Sequence, residues 1–133
     1  SGEELPENVK AIIADCGYTS EWDEFKCEAN ALHIPWFPVL NAASVLSRLR
    51  DGYDFKQASA LEQVKQSRIP TLFIHGSDDE LVPYSMLDKL YSAAACEKEC
   101  LTVNGAGHAL SSSVEPELYW NTVESFIDKY LEK

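Results

Sequence analysis

The pattern of hydrophobic and polar positions predicts short buried strands that alternate with amphipathic helices. Three runs rich in apolar residues have the length of buried strands rather than of helices, and they span residues 9–14, 72–74 and 99–103. Gly76 ends the second run, and Pro83 stands where the first turn of a helix begins. Since helices separate the strands, we expect three adjacent parallel strands with right-handed crossovers, in an α/β fold with three layers, α/β/α.

Helical periodicity fills the segments between and after these runs. Ser20 with Asp23, and Ser59 with Glu62, have the spacing of capping boxes and predict two helix starts. Gly52 ends the amphipathic pattern that lies between them. We expect the first two helices and the fourth to cover one face of the sheet, and the last helix to cover the other. The predicted helices span residues 19–32, 39–49, 59–66, 84–94 and 115–130.

Carboxylate and imidazole side chains follow two of the predicted strands at the points where the strands end. Asp78 and Asp79 come after the run at 72–74, and His108 comes after the run at 99–103. Because the carboxyl ends of parallel strands meet at one edge of a sheet, an acid and the histidine can meet there. A carboxylate that orients an imidazole is the arrangement that activates a serine hydroxyl as a nucleophile.

Two motifs contain these residues, His75-Gly76-x-x-Asp79-x-x-Val82-Pro83 and Gly105-Ala106-Gly107-His108. Together they resemble the C-terminal part of the α/β-hydrolase superfamily of serine hydrolases, and the resemblance covers nearly the whole chain. It implies that Asp79 and His108 are the acid and the general base of a Ser-His-Asp triad, in the chain order Ser, acid, His. It also implies carboxylic ester hydrolysis as the commonest activity, with no cofactor.

The nucleophile of that family is missing from the sequence. No serine stands in a G-x-S-x-G pattern, so by the family's order the serine is expected upstream of Ser1. The 133 residues then form the C-terminal part of one hydrolase domain, and this chain alone is expected to be inactive. A non-catalytic hydrolase-like domain used for binding is the alternative function.

The segment 19–58 lies where the family carries a helical cap that shapes the substrate pocket. On this resemblance, four aromatic residues are candidates for binding a small ester-like substrate with an apolar acyl or aryl group: Tyr18, Trp22, Trp36 and Phe37. The alternative for the cap aromatics is that they pack the cap onto the sheet.

Other assignments of the titratable residues stay open. Asp15, at the end of the first run, could be the triad acid instead of Asp79, or a loop carboxylate that bonds nearby backbone N–H groups. His75 is expected to bond backbone at its strand end. A metal site that combines His75, Asp78, Asp79 and His108 has no supporting ligand spacing such as HExxH, so no metal is predicted.

Composition narrows the function classes. The formal net charge of −11 argues against nucleic acid and anionic membrane surfaces, since both require clustered cations. Four scattered cysteines favour reduced thiols and a cytoplasmic location, and no apolar run is long enough to span a bilayer. The strand at Val9–Ala14 is expected to expose an apolar edge, which predicts a homodimer or pairing with the missing N-terminal half.

Overall fold

A computed structural model describes residues 5–53 and 59–131, so residues 54–58 of the predicted cap segment lie outside the described residues. No helix within the described ranges has both the length and the apolar character needed to cross a bilayer. The strands are β1 (Ile12–Asp15), β2 (Thr71–Gly76) and β3 (Lys98–Val103). The helices are α1 (Glu21–Ala31), α2 (Trp36–Asp51), α3 (Ala60–Gln66), α4 (Ser85–Ala93), α5 (Ser111–Val114) and α6 (Pro116–Leu131).

The three strands form one parallel sheet in the order β1-β2-β3. The register places Thr71 of β2 opposite Ile12 of β1 and Lys98 of β3. Every residue of β2 is buried, as expected of a central parallel strand that carries helices on both faces. The predicted α/β architecture with three adjacent parallel strands is therefore confirmed.

The first strand is shorter than its hydrophobic run. The run covers residues 9–14, but β1 begins at Ile12, whose N–H donates to the carbonyl of Pro70 at 2.9 Å. Pro70 has no N–H with which to continue the ladder, and the N–H of Val9 instead donates to the carbonyl of Pro6. Because β1 is an edge strand, its residues are half-buried or exposed, which differs from the predicted burial on both faces.

One face of the sheet is covered by α6. The amphipathic pattern predicted this helix, which begins at Pro116, one residue after the predicted start. Burying an apolar side chain of this size contributes about 1.5–3 kcal/mol, so the cluster fixes α6 on the sheet. Leu72 and Ile74 of β2 pack there with four residues of α6: Tyr119, Val123, Phe126 and Tyr130.

The opposite face is covered by α3 and α4. Phe73 of β2 packs with Val64 of α3 and with Leu87 and Leu90 of α4. The prediction for α4 is confirmed, whereas the prediction that the first two helices share this face is wrong. Neither core cluster of the described chain includes a residue of α1 or α2, whereas α3 contributes Val64 to the cluster beside α4.

Helices α1 and α2 pack against each other instead. The side chain of Ser20 accepts the N–H of Asp23 at 3.1 Å at the start of α1, and Gly52 ends α2 with a φ of 71°, both as predicted. The apolar stripe of α2 is largely exposed, and its members Val39, Leu46 and Leu49 are 52%, 64% and 80% exposed.

The two ends of the segment that contains α1 and α2 are joined by a backbone hydrogen bond. Thr19 follows β1, and its carbonyl accepts the N–H of Leu61 in α3 at 3.0 Å. Ser59 caps α3 by accepting the N–H of Glu62 at 3.3 Å, as the capping-box pattern predicted. The segment that contains α1 and α2 therefore begins and ends beside the same backbone group.

Candidate active site

The loops that follow β2 and β3 are joined by backbone contacts at the carboxyl edge of the sheet. The N–H of Ser77 donates to the carbonyl of Val103, and the N–H of Asp78 donates to the carbonyl of Ala106, both at 3.0 Å. Gly76 permits this approach, because a Cβ at that position would lie 2.1 Å from the Ala106 oxygen. A side chain at position 76 would therefore push the two loops apart.

The side chain of Ser77 adds a second link between the loops. Its hydroxyl accepts the N–H of Gly105 at 2.8 Å and donates to the Asp78 carboxylate at 2.6 Å. Gly105 has a φ of 75°, in the left-handed region that favours glycine. Asp78 therefore serves the loop itself.

Asp79 and His108 meet between these two loops. The Nδ1 atom of His108 lies 2.9 Å from Oδ2 of Asp79, and Oδ1 accepts the N–H groups of Leu81 at 3.0 Å and Val82 at 2.7 Å. The side chain of Asp79 is fully buried, whereas that of His108 is 33% exposed. The structure thus brings together the two residues that the motifs place in one site.

Asp79 stays ionised at neutral pH although it is buried. Burial by itself raises the pKa of this carboxyl, but hydrogen bonds from Val82, His108 and Leu81 outweigh it and hold the pKa below its ordinary value of 3.8. Since a carboxylate can only accept, the 2.9 Å contact places a proton on Nδ1 of His108, and in the tautomer that carries its proton there Nε2 is the acceptor. The pair has the geometry of a general base that is oriented by an acid.

His75 lies on the other side of Asp79 and bonds backbone, as predicted. Its Nε2 is 2.9 Å from the carbonyl of Val82 and 3.4 Å from Oδ2 of Asp79. His75 is fully buried, and its Nδ1 has no hydrogen-bond partner among the described residues. The nearer Val82 carbonyl is the hydrogen-bond partner, so the ring supports the acid loop after β2.

Asp15 is not the partner of His108. Its carboxylate accepts the S–H of Cys16 at 3.2 Å and the hydroxyl of Tyr119 at 3.0 Å, while His108 bonds Asp79. The alternative in which Asp15 is the triad acid therefore has no support in the structure. Asp15 bonds side chains rather than the backbone N–H groups expected of a loop carboxylate.

A buried thiol, absent from the predicted site, lies beside this pair. Cys16 Sγ, a carboxylate oxygen of Asp79 and a ring nitrogen of His108 lie within 4.8 Å of one another. Burial raises the pKa of Cys16 to about 12, so the group is a neutral thiol at neutral pH and a poor nucleophile. The available signal was its position, since Cys16 directly follows β1 at the same edge of the sheet.

This grouping differs from the metal-ligand set considered from the sequence. That set combined Asp79 and His108 with His75 and Asp78. Within the described ranges, the side chains that could share one ion are Cys16, Asp79 and His108.

The predicted substrate-binding aromatics fall in two places. Tyr18 lies beside the dyad, with its ring centroid 6.3 Å from that of His108. Trp22 and Trp36 flank the ammonium of Lys26, at 5.7 and 5.2 Å from the ring centroids, and Phe37 contacts Trp36 edge-to-face at 6.0 Å. Their role in binding a substrate remains a prediction.

Comparison with known proteins gives a family and several relatives. The family model described as serine aminopeptidase, S33 matches residues 48–116, just over half of the chain. The uncharacterized protein YqkD of Bacillus subtilis is 28% identical over 129 residues, which are 96% of this chain and 42% of YqkD. The alpha/beta hydrolase domain-containing protein 17C of Homo sapiens is 29% identical over 106 residues, 77% of this chain and 32% of that protein. The chain therefore spans less than half the length of these relatives.

Solved structures share the fold at low sequence identity. An esterase of Pyrococcus furiosus superposes with a TM-score of 0.71 at 18% identity, which covers 98% of this chain and 48% of the esterase. The acylaminoacyl peptidase of Pyrococcus horikoshii superposes with a TM-score of 0.63 at 18% identity, which covers 96% of this chain and 21% of the peptidase. At these identities the likeness establishes the fold alone.

Proposed function

The chain belongs to the serine aminopeptidase S33 family of the α/β-hydrolase superfamily, and from that premise we propose that it supplies the acid and the general base of a Ser-His-Asp triad. Asp79 is the acid, His108 is the base, and the triad belongs to a hydrolase of carboxylic esters. The observation that carries the proposal is the 2.9 Å hydrogen bond between His108 Nδ1 and the buried carboxylate of Asp79.

In the proposed mechanism His108 moves one proton back and forth. Its Nε2 accepts the proton of a serine hydroxyl while the serine oxygen attacks the ester carbonyl carbon. The proton then passes to the leaving alcohol, and an acyl-enzyme remains. Water repeats the sequence on the acyl-enzyme and releases the acid. Asp79 holds the Nδ1–H tautomer and stabilises the imidazolium at each step, which its low pKa allows.

In this proposal, the nucleophilic serine belongs to a part of the domain that lies outside these 133 residues. No serine in the sequence stands in a G-x-S-x-G pattern, and the relatives extend well beyond the matched region. We therefore expect the 133-residue chain by itself to have no esterase activity, since it lacks the nucleophile that His108 would activate.

A small ester with an apolar acyl or aryl group is the proposed substrate. Tyr18 lies next to His108, and a cluster of the half-buried Trp22 and Trp36 with the exposed Phe37 lies on helices α1 and α2. Structures named as esterases, from Pyrococcus furiosus and Thermogutta terrifontis, are among those with this fold, and they are the support for an ester as the substrate class.

The proposal is tested by measuring intact mass before and after treatment with a fluorophosphonate, which labels activated serines. The 133-residue chain and the product of the whole gene are treated side by side. We expect an adduct only on the longer protein, and we expect His108→Ala and Asp79→Asn to slow its formation at least 100-fold. His33→Ala, which removes an exposed histidine between α1 and α2, is the matched control and leaves the labelling rate unchanged.

Three results would contradict the proposal. Labelling of a serine in the 133-residue chain would show that the nucleophile lies within it. Absence of labelling in both proteins would favour the non-catalytic binding domain, as would labelling that is indifferent to His108→Ala.

A further inference from the structure

We propose that Cys16, Asp79 and His108 form a binding site for a thiophilic divalent cation such as Zn²⁺. Their ligand atoms, one thiol sulfur, one carboxylate oxygen and one ring nitrogen, lie within 4.8 Å of one another. Sulfur, imidazole nitrogen and carboxylate oxygen form the mixed ligand set that Zn²⁺ takes in proteins, with three protein ligands and a position left for water.

The thiol is held in this position by two hydrogen bonds. Its sulfur accepts the N–H of Ala109 at 3.3 Å and donates its proton toward Asp15 at 3.2 Å. Ala109 directly follows His108, so the same bond ties the thiol to the histidine loop. Both Cys16 and Ala109 have positive φ angles, 53° and 56°, which are unusual for residues other than glycine. The cluster is therefore fixed by its backbone and is not a chance approach of mobile side chains.

Binding requires a small rearrangement of the cluster, in which the dyad separates slightly and the sulfur comes nearer. Zn²⁺ lies about 2.3 Å from sulfur and about 2.0 Å from nitrogen or oxygen, so tetrahedral ligands are about 3.5 Å apart. His108 and Asp79 are already closer than this, at 2.9 Å. Cys16 and Asp79 are buried, whereas a third of the His108 side chain is exposed, so the ring is the group that adjusts.

The charges and protons balance in the bound state. The thiol releases its proton to solvent, so Asp15 loses the S–H bond that it accepts in the metal-free chain. The thiolate and the Asp79 carboxylate together neutralise the 2+ charge of the ion. His108 stays neutral, but its proton moves from Nδ1 to Nε2 when Nδ1 binds the metal. A neutral complex suits a site in which two of the three ligands are buried.

The bound ion has a consequence that rests on the proposed function. With its proton on Nε2, His108 cannot accept the proton of a serine, and Asp79 no longer orients Nδ1–H. Zn²⁺ at this site would therefore inhibit the hydrolase reversibly, and a chelator would restore it.

The test uses Co²⁺ as a spectroscopic substitute for Zn²⁺ on the purified 133-residue chain. We expect one equivalent of Co²⁺ to give visible bands of tetrahedral intensity and a near-ultraviolet thiolate-to-cobalt charge-transfer band, and Zn²⁺ to displace both. Cys16→Ser and Cys16→Ala should each abolish the charge-transfer band, and His108→Ala should weaken binding at least tenfold. Cys100→Ser removes an exposed free cysteine and is the matched control that keeps the spectrum. Circular dichroism verifies that each variant is folded.

The outcomes separate this proposal from the proposed function. A charge-transfer band that survives in folded Cys16→Ala, or the absence of stoichiometric Co²⁺ binding, would overturn the metal site. This result does not depend on whether the longer protein is an active hydrolase. Metal binding to the chain together with slower fluorophosphonate labelling of the longer protein in Zn²⁺ supports both parts. If the chain binds the metal but Zn²⁺ does not slow fluorophosphonate labelling of an active longer protein, the proposed inhibition is overturned and the metal site itself is still supported.

Discussion

Gly76 shows how the absence of one side chain holds the acid loop against the histidine loop. It ends β2 directly before the acid loop, and a Cβ there would meet the Ala106 oxygen at 2.1 Å. That oxygen also accepts the N–H of Asp78, so it cannot move away without loss of this hydrogen bond. The position therefore affects both the stability of the sheet edge and the alignment of Asp79 with His108.

We expect Gly76→Ala to lower the free energy of unfolding by about 1–3 kcal/mol, because the added methyl group forces backbone atoms apart. Chemical denaturation measured by circular dichroism gives this value. Gly107→Ala is the control, since a Cβ at that position would have its nearest neighbour, Leu110, at an ordinary contact distance of 3.6 Å. Equal midpoints for wild type and Gly76→Ala would show that the loops separate freely.

At the same scale, motifs identify the two residues of the dyad, whereas for the thiol beside them the sequence offers only its position directly after β1. Asp79 and His108 occur in local motifs that follow predicted strands, so the topology alone brings them together. The position of Cys16 depends on the bond from Ala109, 93 residues later, and on positive φ angles at both residues. No local pattern encodes a contact of that kind.

At the scale of elements, the start of α1 is stabilised by an acidic side chain with several partners. The hydroxyl of Thr19 donates to the carboxylate of Asp23 at 2.6 Å, and Lys26 lies 3.7 Å away. Burial by itself raises the pKa of Asp23, but hydrogen bonds from Thr19 and Ser20 and the charge of Lys26 hold it below 3.8. The ionised form is therefore favoured by folding.

Because the pKa of Asp23 is lower in the folded chain than in the unfolded chain, its contribution to stability is present above pH 3.8 and lost as the pH falls through the folded value. We expect Asp23→Asn to melt at a lower temperature than wild type at pH 7, and the difference to shrink toward pH 3. Asp128→Asn, on the exposed side of α6, controls for the loss of one negative charge. A difference in melting temperature that does not change with pH would contradict this prediction.

The starts of α1 and α3 were predictable because capping is local, whereas the uncapped α2 begins at Trp36, three residues before its predicted start, and the burial of its apolar face was not predictable. Ser20 and Ser59 each accept the N–H group that their spacing implied. The stripe of α2 looked like a core face, yet Leu46 and Leu49 are mostly exposed. Periodicity shows that a helix has an apolar side, but only the tertiary structure shows whether another element covers it.

At the scale of the whole molecule, the sheet of the described chain ends in two open edges, β1 and β3. Ile12 and Cys16 donate their N–H groups toward β2, so the N–H of Ile13 points to the free edge of β1. The register of β3 places the N–H of Cys100 at the opposite edge in the same way. Such unpaired edges favour pairing with another strand.

We expect the 133-residue chain to self-associate through β1, as measured by sedimentation velocity over a concentration series. Ile13→Pro removes an edge N–H without removing a bond to β2, and it should shift the chain to monomer. Cys100→Pro makes the matched change at the β3 edge and should leave the association intact. A monomeric wild type at high concentration, or an equal effect of both prolines, would contradict pairing through β1.

The hydrogen bond between Leu61 and the Thr19 carbonyl has a consequence for how this chain can diversify. Since the segment between these residues departs and returns at a single point, its length can change without altering the register of the three strands. The sheet, the acid loop and the histidine loop then form a structurally constant core, and the helical segment can be exchanged without changing it. Grafting a segment of different length between Thr19 and Ser59 should therefore alter which substrates the site binds, while the Asp79–His108 pair keeps its alignment.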